Sequence, residues 1–89
     1  MHVVKGFRIR EVVNEILAVP VGEAANIFSG IISLNDVGRF LLEQLTADQT
    51  EKSLVEALCE EYEVGPEIAA ADVKDFVEHL RNTGLLVED

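Results

Sequence analysis

Two periodicities divide the chain near residue 35. Before that point, apolar and polar residues alternate, which is the period of a β-strand with one buried face. Beyond it, apolar residues recur every three or four positions, as on the buried stripe of an amphipathic helix. This order predicts a sheet followed by helices.

The alternating part predicts three strands. The first begins at Phe7 and ends before a tight turn at Val13-Asn14, because asparagine tolerates a positive φ angle. The second carries Leu17 and Val19 on its buried face and ends at Pro20, which cannot continue a ladder of hydrogen bonds. These features predict an antiparallel hairpin.

A loop over residues 22–26 leads into the third predicted strand. Its more apolar face and its mixed face alternate, as expected for an antiparallel meander that packs one face on the core. The apolar face consists of Phe28, Gly30, Ile32 and Leu34, and the mixed face of Ile27, Ser29, Ile31 and Ser33.

Three helices follow. Asn35 and Thr50 are placed to cap the first two, Pro66 suits the first turn of the third, and Gly84 suits its end. The second helix is expected to turn Tyr62 inward with its leucines. The predicted fold class is therefore α+β, a single domain over residues 1–89 in which a three-stranded antiparallel sheet precedes three α-helices, like a winged helix-turn-helix with its sheet first.

A glycine inside the first helix predicts a close approach. Gly38 costs that helix about 1 kcal/mol relative to alanine, and its presence indicates that another backbone packs against it. The residues Leu85–Val87 after the third helix are expected to fold back as a hydrophobic tail.

The formal net charge of −10, from 17 acidic and 7 basic residues, opposes binding to phosphate backbones and anionic membranes. The third helix, which would enter DNA in a winged fold, carries four acidic residues against two basic ones between Glu67 and Asn82. We therefore predict neither a nucleic-acid nor a membrane partner. The acidic stretch over residues 48–67 is either a solvated face or a docking surface for a basic partner.

The sequence offers no catalytic constellation, so we predict that the protein is not an enzyme. His79 is expected to face water, Cys59 to pack as a small apolar residue, and no phosphate loop or metal-ligand motif occurs. We expect no cofactor and no metal. The lone cysteine and the absence of a signal-like N-terminus or a long apolar run predict a cytoplasmic location. Ser53 lacks the acidic neighbour found at the attachment site of carrier proteins.

Several short motifs arrive in order along the chain. They are Val19–Ala25, Phe28–Leu42 with its Leu-Asn-x-x-Gly step, Ala71-Asp72-Val73 and Gly84-Leu85-Leu86. From about Phe7 to Val87 the chain resembles the PqqD family. It departs from the family at Leu42, where an aromatic residue is common, and at Asn14, where glycine is frequent.

The resemblance implies a non-catalytic peptide-binding module, a recognition element for precursor peptides that are made on the ribosome and then modified. Such modules bind the leader segment of a precursor and present it to a modifying enzyme, typically a radical S-adenosylmethionine (SAM) enzyme. The leader adds as a strand to the third strand, in the groove before the third helix. By position, the expected contacts are Ile27, Phe28, Ile31 and Ile32 on the strand and Val73, Lys74, Val77, Leu80 and Arg81 on the helix.

Properties of the residues are compatible with strand addition. No lysine, proline or acidic residue protects the segment from Ile27 to Leu34, so it can serve as a free sheet edge. Lys74 and Arg81 are expected to pair with acidic residues of the leader. Two alternatives stay open: a scaffold or homodimerisation module that uses the same edge, and a diverged relative without a peptide client.

Overall fold

A computed structural model describes residues 1–88. Its elements follow one another as β1 (His2–Val3), β2 (Phe7–Val12), β3 (Glu15–Pro20), α1 (Glu23–Ile27), β4 (Ile32–Leu34), α2 (Asp36–Gln44), α3 (Glu51–Tyr62), α4 (Pro66–Thr83) and β5 (Leu86–Val87). The α+β class and the three-stranded antiparallel sheet before the main helices are confirmed.

The sheet has the order β2-β3-β4. In β2 and β3, Phe7 pairs with Pro20, and the ladder closes at the turn of Val13 and Asn14, whose φ angles are 47° and 26°. The asparagine prediction is thus confirmed, and the β-branched Val13 shares the left-handed conformation. Strand β4 pairs only with β3, which leaves it at the edge of the sheet.

The third strand is shorter than the alternation predicts. Only Ile32–Leu34 pair with β3, and the loop expected over residues 22–26 is the short helix α1, which extends to Ile27. In β4 the alternation predicted the right faces, whereas in β3 the buried residues are Ala18 and Pro20 and not the predicted Leu17 and Val19. The start of β4 was also wrong, because helix α1 holds its residues through local backbone hydrogen bonds, such as that from the Phe28 N–H to the Ala24 carbonyl.

The predicted helix ends are confirmed. The Asn35 side chain accepts a hydrogen bond of 2.7 Å from the Gly38 N–H, and Thr50 caps α3 through Ser53. Gly84 ends α4 with a φ angle of 82°. These caps satisfy backbone groups that the first and last turns leave unpaired.

A second, small sheet was not predicted from the sequence. Strands β1 and β5 pair antiparallel, so that His2 lies opposite Val87 and Val3 opposite Leu86. Leu85 is fully buried beside this pair, and its carbonyl accepts a hydrogen bond from Val4. The hydrophobic tail therefore does fold back, and it does so as a strand.

The core lies between the sheet and the three long helices. Its largest fully buried side chains are Leu41, Leu45, Leu54, Leu58, Val73, Val77, Leu80 and Leu85. Tyr62 does not join them, contrary to the prediction. It packs its edge against Phe40 at 5.6 Å between ring centroids and stays 37% exposed, because its hydroxyl reaches the Asp36 carbonyl at the surface.

Candidate peptide-binding groove

Strand β4 is an open edge of the sheet in the part of the chain that the structure describes. Strand β4 pairs with β3 through Ala18–Ile32, Leu17–Ser33 and Ile16–Leu34, and no other strand borders it. In an antiparallel ladder, alternate residues of an edge strand point their N–H and C=O groups outward. β4 therefore presents backbone groups that a further strand can pair with.

A groove of about 410 Å³ runs beside β4. Its walls come from β4, from the first turns of α2 and from one face of α4. The lining residues are Ile32, Ser33, Leu34, Asn35, Val37, Gly38, Leu41, Asp72, Asp75, Phe76 and His79. A free edge and an apolar-floored groove thus lie side by side.

Gly38 forms part of the groove floor. A Cβ atom added there would lie 3.3 Å from Leu34 Cδ2 and from Asn35 Oδ1, and 3.5 Å from Phe76 Cε1. The close approach predicted for this glycine is therefore present, but its neighbours are side chains and not another backbone. A side chain at residue 38 would therefore press on three residues that line the groove.

The helix wall lies on a different face of α4 from the one predicted. Val73, Val77 and Leu80 are fully buried in the core and do not line the groove. Because an α-helix turns by about 100° per residue, Lys74 falls on one flank of this buried stripe. Asp72, Asp75, Phe76 and His79 fall on the other flank, which faces β4.

Arg81 shares the flank of Lys74 and already has a partner. Its guanidinium donates two hydrogen bonds to Glu88, from Nε at 3.0 Å and from Nη2 at 2.8 Å. These hydrogen bonds raise the pKa of Arg81 and lower the pKa of Glu88. The guanidinium expected to meet an acidic peptide residue is thus bound within the chain.

The predicted strand-side residues divide into three groups. Ile32 is buried and lines the groove. Ile27 and Ile31, which are 45% and 61% exposed, lie just before β4 and outside that lining. Phe28 packs against the core, and its ring lies over Gly30, where an added Cβ would come within 2.8 Å of Cζ.

Of the nine predicted contact residues, only Ile32 lines the groove. Asp75 and His79 also line it and were not predicted from the sequence. A signal for them was present, since residues 72, 75, 76 and 79 follow the spacing of one helix face next to the apolar stripe. The periodicity does not say which flank of that stripe faces the sheet.

The groove is acidic and carries no lysine or arginine in its lining. Among residues 1–88, the ion pairs lie elsewhere: Arg39 with Glu11 and Glu43, the terminal amine and His2 with Asp48, and Arg81 with Glu88. Within the same residues, no cluster of side chains is arranged to hold a metal ion. None of the helices described is long and apolar enough to span a membrane.

The geometry defines a class, a small α+β protein with an open-edged antiparallel sheet beside a helical groove. Comparison with protein-family models shows which one: residues 16–86 match the model described as coenzyme PQQ synthesis protein D (PqqD). The chain belongs to the PqqD family.

Among solved structures, the chain is similar to one described as TbiB1 in complex with the TbiA(beta) leader peptide. The two share 22% sequence identity and a TM-score of 0.70, and the match covers 100% of each chain. This similarity extends the shared fold over the whole chain. No curated protein sequence matched.

Proposed function

We propose that this protein is a non-catalytic recognition element that captures the leader segment of a ribosomally made precursor peptide by adding it as a strand to β4. The observation that carries the proposal is the unpaired edge of β4 beside the groove. Membership of the PqqD family supports it, as does the shared fold of a protein solved with a leader peptide.

The proposed contacts come from the edge and the groove together. Backbone hydrogen bonds to β4 supply a sequence-independent part of the affinity, and side chains that enter the groove supply the specific part. The floor residues Leu34, Val37 and Phe76 are only partly buried, so a peptide side chain that covers them gains apolar contact area. Ile31 directly precedes this edge, and the exposed Ile27 ends helix α1.

The captured leader would then be presented to a separate modifying enzyme in the cytoplasm. We propose a radical SAM enzyme, which is the partner that the family resemblance implies. The exposed surfaces away from the groove, including the acidic face of α3, stay available to that enzyme while a peptide occupies β4.

Isotope-labelled protein titrated with a synthetic leader tests the proposal. The probe is the N-terminal half of a short reading frame encoded next to this gene. We expect amide shifts at residues 27–34 and 72–79, together with slowed hydrogen exchange in β4. Shifts confined to α3, with β4 unchanged, would contradict the proposal.

A pair of aromatic substitutions sharpens the test. Phe76→Ala removes part of the groove floor and is expected to weaken leader binding by about tenfold, as for a buried aromatic contact. Tyr62→Ala is the matched control, because it removes a partly exposed aromatic outside the groove. Equal weakening by both variants would argue against the groove.

Self-pairing of two β4 edges is the rival use of the same surface. Sedimentation over a range of concentrations separates the two. We expect a monomer whose mass increases only by that of the peptide, whereas a dimer that persists with the leader present would favour a scaffold.

A further inference from the structure

The helix wall of the groove is negatively charged at one end. Asp72 and Asp75 are one helical turn apart on the face of α4 that lines the groove, and both are exposed. Neither forms an ion pair with any other residue from 1 to 88. Two carboxylates thus border a peptide path without an internal counter-ion.

The opposite end of the path is apolar. At the acidic end, Gly38 adjoins Phe76. At the end of α4, Gly84 adjoins Ile27, whose Cγ2 atom would lie 3.2 Å from a Cβ added to the glycine. Helix α4 therefore runs alongside the segment from Leu34 back to Ile27. The exposed Ile27 and Ile31 lie toward this second end.

The distance between the ends sets a spacing for the ligand. Gly84 lies nine positions after Asp75, so the rise of an α-helix puts them about 14 Å apart. A strand advances about 3.4 Å per residue, and the same span therefore takes about four residues of an added strand. Residues four apart on a strand point to the same face.

From this gradient, and resting on the proposed function, we propose that the groove selects peptides with a lysine or arginine opposite Asp75, within reach of Asp72, and an apolar residue about four positions away on the same face. The cation meets both carboxylates, since they are about 4.5 Å apart along the helix axis. The net charge of −10 also favours the approach of a cationic peptide. This preference is opposite to the acidic leader expected from Lys74 and Arg81.

Selection from a displayed library of random 12-residue peptides tests the preference. The full chain is the bait, and each selected peptide is synthesised with a fluorophore for anisotropy titration. We expect a basic residue to be enriched at one position and an apolar residue four places away. Peptides that compete with one another and shift the amides of β4, but show no basic enrichment, would overturn this inference and leave the proposed function intact.

The charge variants complete the test. Asp72→Asn with Asp75→Asn is expected to weaken a selected basic peptide by about threefold to tenfold, as for two exposed ion pairs. Glu56→Gln with Glu60→Gln is the matched control, because it removes the same charge from the exposed face of α3 and should leave binding unchanged. Equal weakening by both pairs would mean that only net charge matters and would overturn the inference.

Charge exchange gives an independent readout. Asp72→Lys with Asp75→Lys is expected to prefer the same peptide with its basic residue replaced by glutamate. Loss of binding to both peptides in a variant that melts like the wild type would overturn the inference. A library that yields no binder at the groove would overturn the proposed function along with it.

Discussion

Gly38→Ala is expected to raise the stability of the protein and to lower its affinity for the peptide. Residue 38 lies inside α2 and on the groove floor at once. Alanine in a helix interior is favoured over glycine by about 1 kcal/mol. The added methyl group, however, meets Leu34 Cδ2 and Asn35 Oδ1 at 3.3 Å and Phe76 Cε1 at 3.5 Å.

Those neighbours can yield at small cost. Leu34 and Phe76 present the ends of partly buried side chains, and neither contact involves backbone. Asn35 is held by the hydrogen bond that caps α2, and loss of that cap would cost about 1 kcal/mol. A shift of a few tenths of an ångström keeps it. We therefore expect a net gain in the free energy of unfolding of about 0.5 kcal/mol, which raises Tm by about 2–4 °C.

Peptide binding is expected to respond in the opposite direction. The methyl group occupies space on the floor, so a leader side chain that packs there loses contacts, and Kd should rise by about threefold to tenfold. Calorimetry measures Tm and fluorescence anisotropy measures Kd. Gly65→Ala is the control, because nothing lies within 4 Å of a Cβ added there. An unchanged Kd for Gly38→Ala would refute the assignment of Gly38 to the binding floor, and a loss of more than about 2 kcal/mol would refute the idea that its neighbours yield.

Three further changes have outcomes set by the structure. Gly6→Ala is expected to lower stability by at least about 2 kcal/mol in urea unfolding, because residue 6 has a φ angle of 113° and the new Cβ would overlap the Val21 carbonyl oxygen; a loss under half of that would contradict this. Leu80→Ala should cost about 2–5 kcal/mol by the same assay, since Leu80 is fully buried. Glu88→Gln should reduce stability at pH values above 4.5, the ordinary pKa of glutamate, but not at pH values well below it. The hydrogen bonds from Arg81 hold the pKa of Glu88 low, and their contribution to stability is lost when acid protonates Glu88 in the wild type. A wild-type advantage that persisted in acid would contradict that account.

Local chemistry made the helix ends predictable. Each helix end depends on the hydrogen bonds of backbone groups only a few residues away, so no knowledge of the fold was needed. The residues concerned are Asn35, Thr50, Pro66 and Gly84. The pairing of β1 with β5 was not predictable, because it joins two-residue segments that are 83 or more positions apart and too short to show a period.

The site was harder to predict than the fold for a geometric reason. Periodicity identifies the buried stripe of α4, and Val73, Val77 and Leu80 belong to it, but the stripe has two flanks. Which flank faces β4 depends on how the helix is rotated against the sheet, and that is a tertiary property. Lys74 and Arg81, which were predicted by position, lie on the flank outside the groove lining, and the groove carries the opposite charge.

The length of β4 determines how much of the binding free energy comes from the strand edge and how much from the groove. With three residues, β4 offers only a few outward backbone groups, and each hydrogen bond contributes a net of about 0.5–1.5 kcal/mol. A micromolar complex requires about 8 kcal/mol, so groove contacts must supply much of it. Two β4 edges paired with each other would gain the short ladder without filling the groove. The same short strand thus disfavours self-pairing and favours a peptide whose side chains reach Phe76 and the two aspartates.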